Sequence, residues 1–417
     1  MSPTVFGFLF LGALALATAT RLWLAWRQVH HVRAHRGQVP PAFAQAISLA
    51  AHQKAADYTI AKNRLGAVEL AVGAVVLVVL TLGGGLQALL EQWARVFAPG
   101  SIAHGTAFIA SVVVLLSIIE LPAAIYRTFV VEARFGFNRM TPGLFIADLA
   151  RHALIATVLG LPLVMLVLWL MAGVGPWWWL AVWFVWAGFN LLMLLIYPTF
   201  IAPLFNTFKP LGDAELAARI EALLARCGFT AKGLFVMDGS KRSSHGNAYF
   251  TGFGAAKRIV FFDTLLARLA PAEVEAVLAH ELGHFRRHHV WKRVALLFAF
   301  SLGLLWLLGQ LIDAGWFYAG LGISQPGAAV ALVLFVMVVP VFTFFLQPLA
   351  SLLSRRHEFE ADAYAAAHAS ARDLVTALVK LYKDNAATLT PDPVHSAFYD
   401  SHPPAATRVE QLLAAAS

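Results

Sequence analysis

Charged side chains are scarce in this sequence of 417 residues. Asp, Glu, Lys and Arg make up only 13% of the chain, whereas hydrophobic residues make up 59% and the mean hydropathy is +0.71. A soluble globular domain is usually about 25% charged. This shortage excludes a disordered, collagen-like or ordinary soluble protein, and it indicates that most of the chain lies in lipid.

Cysteine is also nearly absent, since it occurs once, at Cys227. A single thiol excludes a disulfide framework and a cysteine-based zinc cluster, so a metal ion would need His and carboxylate ligands. The charge balance is basic, with a net charge of +8. In a membrane protein such an excess is typical of basic cytoplasmic loops, and we expect no nucleic-acid partner.

The sequence contains several long runs of apolar residues. A run of about 18 or more apolar residues predicts a transmembrane helix, and the candidates lie near 4–26, 66–90, 106–131, 153–173, 177–202, 294–312 and 327–353. The first run could instead be a signal peptide. It lacks a basic region before its apolar core, however, and it ends in interfacial Trp and Arg residues. We therefore expect seven membrane helices.

Basic residues set the expected orientation, because cytoplasmic loops hold Lys and Arg in excess. The first and third loops are basic, whereas the loops at 173–176 and 313–326 contain neither Lys nor Arg. This asymmetry predicts an N-terminus outside and a C-terminus in the cytoplasm. The Ala-rich composition favours a bacterial inner membrane, with the endoplasmic reticulum as the eukaryotic alternative.

Two water-soluble segments flank the last two spans. We expect membrane helices over 1–202, a first soluble part over 203–292, two more membrane helices over 293–353 and a second soluble part over 354–417. An amphipathic helix at 213–229 and short strands at 233–240 and 257–266 predict a small α+β domain. The stretch 243–254 is compatible with an edge strand and turn, to which an extended substrate could add.

A helix predicted to begin at Pro271 carries a metal-binding pattern. His280 and His284 lie one turn apart on one face with Glu281 beside them, which gives the spacing His-Glu-x-x-His. Catalytic zinc takes three protein ligands and a water whose pKa it lowers toward about 7. Glu281 would then act as the general base for that water. The pattern indicates a zinc peptidase, and a chance His pair is the alternative.

The third zinc ligand must come from elsewhere. Ligands stacked over two helical turns are too far apart for one ion, so we interpret His288 and His289 as interfacial. Glu358 and Asp362 lie four residues apart beyond the last span, with Glu360 pointing to another face. Glu358 can ligate zinc while Asp362 accepts a hydrogen bond from a zinc-bound His. A solvated acidic helix is the alternative.

Several motifs in this order resemble the type I integral-membrane CAAX prenyl protease, a zinc metallopeptidase family. They are ARFGFNRMT at 133–141, the segment at 240–266, VLAHELGHF at 277–285, SRRHEFEAD at 354–362 and YDSHPPAATRVEQL at 399–412. The resemblance implies a ring of seven helices around an intramembrane chamber, capped by a gluzincin-type zinc domain. It also implies one zinc ion held by His280, His284 and Glu358, with Glu281 as the catalytic base.

The same resemblance implies residues that contact the substrate. Asn247 and His402 would meet the substrate backbone or the tetrahedral oxyanion, with Arg408 beside them. One donor to an oxyanion contributes about 3 kcal/mol. A turn Asn and a His held by the two prolines that follow it are the alternatives. The family's substrates end in Cys-aliphatic-aliphatic-X with a prenylated Cys, so we expect prenylated or other membrane-associated peptides and proteins.

Two other functions compete with this interpretation. A quality-control membrane metalloprotease of the heat-shock type shares the zinc motifs but has about four spans. A transporter or channel with an incidental metal site could use Glu120, whose carboxyl in mid-span would face a watery chamber or be buried in protonated form against a neighbouring helix. Matching halves with broken helices would favour transport, and we find none.

Overall fold

A computed structural model describes residues 1–251 and 258–415. In chain order the helices are α1 (Pro3–Ala34), α2 (Leu49–Leu80), α3 (Gly85–Ala94), α4 (Ile102–Glu132), α5 (Pro142–Gly173), α6 (Gly175–Phe205), α7 (Ala214–Arg226), α8 (Asp263–Leu266), α9 (Pro271–Arg286), α10 (His289–Leu311), α11 (Gly315–Ala319), α12 (Ala328–His368), α13 (Ala371–Asp384), α14 (Pro393–Tyr399) and α15 (Ala405–Ala415). Seven of these are long and apolar enough to cross a membrane, namely α1, α2, α4, α5, α6, α10 and α12. The predicted number of spans is confirmed.

The second span differs from its predicted range of 66–90. Helix α2 already ends at Leu80, and the chain turns through Gly84, whose φ of +78° favours glycine, into the separate helix α3. A side chain at the preceding Gly83 would lie 2.6 Å from the Val79 carbonyl oxygen. The apolar run is therefore divided by a glycine turn that hydropathy alone does not reveal.

The first predicted span is a helix packed into the membrane core. Phe10 and Leu24 of α1 are fully buried in the apolar cluster that α1 shares with α4 and α12. Glu120, in contrast, has an exposed side chain on α4. The alternative in which its carboxyl is buried against a neighbouring helix is therefore wrong.

A small sheet forms the centre of the water-soluble part. Its strands are β1 (Phe208–Pro210), β2 (Leu234–Met237), β3 (Ala248–Thr251) and β4 (Arg258–Phe262), in the order β1-β2-β4-β3. Strands β2 and β4 are parallel, and the two outer pairs are antiparallel. Strands β2, β3 and β4 match the sequence prediction, and β3 is an edge strand among the described residues. The predicted turn after β3 falls at residues 252–257, outside the described residues.

The loop between α4 and α5 joins the membrane part to the segment before β3. Asn138 pairs with Ser243 in an antiparallel bridge, and the Arg139 amide donates to the Arg242 carbonyl at 3.1 Å. The Arg242 guanidinium donates twice to the Asp148 carboxylate of α5, at 2.7 and 2.9 Å. The motif ARFGFNRMT therefore has a structural role. It connects the segment that precedes the edge strand β3 with the membrane helices.

We predict that Arg242→Ala destabilises the protein, because it leaves the carboxylate of Asp148, whose side chain is only 9% exposed, without its bidentate partner. Asp148 keeps its contact with the Arg151 guanidinium at 2.8 Å, so the loss is that of hydrogen bonds to a charged group, about 1.5 to 3 kcal/mol. The thermal unfolding midpoint in detergent should fall by several degrees. Arg139→Ala is the matched control because that side chain is exposed. An equal midpoint for the two variants would contradict the proposed tie.

Candidate metal centre

Helix α9 begins as the sequence predicts. Pro271 occupies the first turn, where its missing N–H is not needed, and the Glu273 carboxylate accepts a hydrogen bond from the Ala270 amide at 2.7 Å. Lys380 of α13 also contacts Glu273, at 2.7 Å. The start of the helix is therefore fixed, and with it the position of each side chain two to four turns later.

Helices α9 and α12 approach each other closely at Gly283, between the two histidines of the pattern. A Cβ atom at this position would lie 2.9 Å from the Ala361 Cα and 3.0 Å from the Tyr364 Cβ, closer than real Cβ contacts. Only glycine allows the two backbones to come this near. The contact brings the acidic side chains of α12 within reach of the histidines of α9.

Three side chains from these helices converge on one point. The His280 and His284 Nε2 atoms are 3.2 Å apart, and the Glu358 carboxylate oxygens lie 3.5 Å from the first and 3.3 Å from the second. Their ligand atoms all lie within 4.8 Å of one another. His280 and Glu358 are buried, at 7% and 3% exposed. The structure thus brings together the three residues that the sequence predicts as ligands.

The donor set fits a zinc ion. Two nitrogens bound tetrahedrally at about 2.0 to 2.1 Å are about 3.3 Å apart, close to the observed spacing of the two Nε2 atoms. The buried Glu358 Oε2 has no hydrogen-bond partner among the described residues. The Arg408 guanidinium lies 3.7 Å from this oxygen, beyond hydrogen-bond distance, and a buried carboxylate oxygen without a donor is costly unless a cation binds it. Two imidazoles and one carboxylate are a donor set of catalytic zinc sites.

A buried ion pair lies next to this cluster, on the Nδ1 side of the His280 ring. The Arg408 guanidinium donates to both Asp362 oxygens at 2.8 and 2.6 Å, and Asp362 Oδ1 lies 2.8 Å from His280 Nδ1. Burial lowers the pKa of His280, but the neighbouring carboxylates of Asp362 and Glu358 outweigh it and raise that pKa to about 9. Asp362 is therefore placed where it would fix the orientation of the His280 ring. Arg408 is buried, and its guanidinium contacts Asp362.

Glu281 lies beside the cluster and lines the adjacent cavity. Burial is the main cause that raises the pKa of its carboxyl above the usual range. A raised pKa makes the carboxyl hold a proton more readily, which suits a group that takes a proton from water and returns it. Its position and environment suit the role of general base.

The two remaining predicted site residues lie at different distances from the ligands. His402 Nε2 is 3.4 Å from Glu358 Oε2, and its Nδ1 is 3.0 Å from the Ser401 hydroxyl. Asn247 is exposed immediately before β3, and its side-chain oxygen accepts from the Ala248 amide at 2.8 Å. His402 thus joins the cluster, whereas Asn247 lies just before β3, whose Tyr249 lines the cavity beside the cluster. Their roles toward a substrate stay predictions.

The interpretation of His289 as an interfacial residue is wrong. Its side chain is 1% exposed, and its Nδ1 lies 2.9 Å from His284 Nδ1. On the other side its Nε2 lies 3.0 Å from Glu360 Oε2. His288, in contrast, is exposed, with a left-handed φ of 56° that ends one helix and starts the next. This turn directs the His289 side chain inward. The sequence prediction assumed that the helix continues beyond residue 286, so it could not anticipate this direction.

A cavity of about 1100 Å³ opens from the metal centre toward the membrane helices. Glu281, His284, Glu358 and His402 line one end of it. Its other walls include Tyr249 of β3 and side chains from α6 and α10 in the membrane part, among them Asn190, Met193, Leu297 and Phe298. A substrate in this cavity would touch the ligand cluster, the edge strand and apolar membrane helices together.

This combination of fold and site defines a metal-dependent peptidase of the membrane. The profile described as "CAAX prenyl protease N-terminal, five membrane helices" matches residues 28–207, and that of peptidase family M48 matches residues 210–416. The CAAX prenyl protease 1 homolog of Oryza sativa subsp. japonica is 38% identical over 76% of this chain and 74% of its own length. The human homolog is 30% identical over 93% of this chain and 90% of its own.

A solved structure agrees over nearly the whole chain. The crystal structure of S. mikatae Ste24p has a TM-score of 0.91 with 29% identity, covering 98% of this chain and 99% of that one. The chain therefore belongs to peptidase family M48, in the group of type I CAAX prenyl proteases, and it is a multi-pass membrane zinc metalloprotease. The resemblance drawn from the motifs is confirmed, and neither the heat-shock type of protease nor a transporter is favoured.

We predict that Gly283→Ala weakens the metal centre. The added methyl group has to push α12 away from α9, and overpacking of this kind costs about 1 to 3 kcal/mol. Zinc content after dialysis and the thermal midpoint should both fall. Gly303→Ala in α10 is the matched control, since its methyl group would meet no atom within 4 Å. Normal zinc content in Gly283→Ala would contradict the requirement for close approach.

Proposed function

We propose that this protein cleaves peptide bonds near the C-terminus of prenylated or other membrane-associated proteins at the centre formed by α9 and α12. The carrying observation is the convergence of His280, His284 and Glu358 at the end of a cavity lined by membrane helices. These three residues would hold one zinc ion. Zinc, when bound, polarises water and the scissile carbonyl.

The chain's own residues then divide the proton transfers and the binding of the oxyanion. We propose that Glu281 takes a proton from the attacking water as its oxygen bonds to the carbonyl carbon, and that it returns this proton to the amine that leaves as the C–N bond breaks. His402 and Asn247 would donate hydrogen bonds to the substrate backbone or the developing oxyanion. Asp362 and Arg408 would act through His280, by holding its ring in place.

The proposed substrate class rests on two further points. Several relatives are named CAAX prenyl protease 1 or its homolog. In this chain the cavity beside Glu281 is walled by Leu297 and Phe298 of α10 and Met193 of α6. Such apolar walls suit an isoprenoid chain. The edge strand β3 suits an extended peptide, whose main-chain groups can pair with the side of β3 that meets no other described strand.

A farnesylated C-terminal peptide and its unfarnesylated twin provide the direct test. Purified protein in detergent should release the last three residues of the farnesylated peptide, as measured by mass spectrometry, and a chelator should stop the reaction. Glu281→Gln should lower the rate by about 10²- to 10⁴-fold because the general base is lost. It should keep its zinc, since the ligands remain.

Glu221→Gln is the matched control, because Glu221 is an exposed carboxylate on α7. It should cleave like the wild type. Equal cleavage of both peptides would keep the peptidase and reject the requirement for a prenyl group. Full activity in Glu281→Gln would reject its role as the base.

We further propose that the metal centre faces the cytoplasm of a bacterial cell, with the N-terminus outside. The support is the basic first and third loops and the absence of Lys and Arg from 173–176 and 313–326. Single cysteines introduced at Gln38 and at Ser324 in a Cys227→Ser background should react differently with a membrane-impermeant thiol reagent added to intact cells. Labelling should occur at position 324 alone. Labelling at position 38 alone would reverse the orientation.

A further inference from the structure

The two histidines of the metal centre receive different support on the side away from the ligand atoms. His280 Nδ1 faces the carboxylate of Asp362 at 2.8 Å. His284 Nδ1 lies 2.9 Å from the ring of His289 and faces no carboxylate of the described residues. The far side of that ring meets Glu360 at 3.0 Å. The second histidine is therefore connected to a carboxylate through an additional imidazole.

The carboxylate of Glu360 decides which atom donates and which accepts in each of these hydrogen bonds. A carboxylate only accepts hydrogen bonds, so the Nε2 of His289 must donate to Glu360. In a neutral imidazole one nitrogen donates and the other accepts, so the Nδ1 of His289 accepts. Among the described residues, the donor that faces it is the Nδ1–H of His284. This leaves the lone pair of His284 Nε2 directed at the metal centre.

We infer that His289 and Glu360 form a relay that fixes the tautomer and orientation of His284 for metal binding, and that His289 is thus a positioning residue of this site. The inference rests on the proposed zinc ligands and adds to them two residues that the peptidase pattern does not contain. Both carboxylates that support the histidines, Glu360 and Asp362, then come from α12, the helix that also supplies Glu358.

The surroundings of His289 hold its ring in this position. The His357 ring stacks on it at 4.0 Å with an interplanar angle of 10°, and the side chain is 1% exposed. On the other side of Glu360, the guanidinium of Arg356 lies 3.3 Å from Oε1. A fully buried ring between two fixed partners cannot turn without losing both contacts. Loss of such a supporting partner typically costs 10- to 100-fold in metal affinity.

The test is zinc affinity, measured in detergent by competition with a chromophoric chelator, and does not depend on catalysis. His289→Phe keeps a ring for stacking but removes both hydrogen bonds, so it should bind zinc about 10- to 100-fold more weakly. His289→Gln offers an amide oxygen toward His284 and an amide N–H toward Glu360, and it should stay within a few-fold of the wild type. His288→Asn is the control, because His288 is exposed and Asn tolerates the left-handed backbone.

The outcomes separate a hydrogen-bonding relay from packing. Weak binding in His289→Phe with recovery in His289→Gln, at similar thermal midpoints of the metal-free proteins, supports the relay. Wild-type affinity in His289→Phe overturns it, and so does an equal loss in both variants, which would indicate packing alone. A wild-type protein that binds no zinc would instead reject the proposed metal centre itself and the relay with it.

Discussion

The close approach of α9 to α12 at Gly283 is the constraint on which the functional site depends. The predicted ligands come from two helices, and the carboxylate of Glu358 reaches the imidazoles of His280 and His284 only because no side chain separates the backbones at that point. A helix pair at the usual interaxial distance of 8 to 10 Å would leave the carboxylate farther from the histidines. Bonds from zinc to nitrogen and oxygen are only about 2.0 to 2.2 Å long, so the three predicted ligands must lie close together, and this requires a small residue at position 283.

The same helix also connects the site to the membrane. Helix α12 runs from the apolar core around Leu334 to Glu358 through one 3₁₀ turn at Phe344–Leu346, so the span and the predicted ligand belong to one continuous helical segment. A second connection to the membrane part lies just before α14. There the Arg27 guanidinium of α1 donates to the buried Asp392 carboxylate at 3.1 and 2.9 Å. This pair ties the segment that leads to His402 to the first membrane helix. Catalytic groups and membrane helices are therefore parts of one framework.

Sequence reasoning was most successful where chemistry limits the choice of residue and spacing. The number of spans, the start of α9 at Pro271 and the meeting of Glu358 with the histidines all followed from length, capping and ligand chemistry. It failed for His289 for two reasons. The left-handed backbone of His288 turns the His289 side chain inward, and its partner Glu360 is 71 residues away in the sequence. It also missed β1, whose pairing with β2 is a contact between segments. The turn after α2 was missed although three consecutive glycines, at 83–85, are a local turn signal.

Zinc-edge X-ray absorption on the purified protein, with metal content measured on the same sample, tests the central claim most directly. The account predicts one zinc per chain, bound only by nitrogen and oxygen at about 2.0 to 2.2 Å with the scattering of two imidazoles. Glu358→Ala should lower the zinc content and change the spectrum. A sulfur scatterer near 2.3 Å, which Cys227 alone or a methionine would have to supply, or a spectrum unchanged by Glu358→Ala, would contradict it.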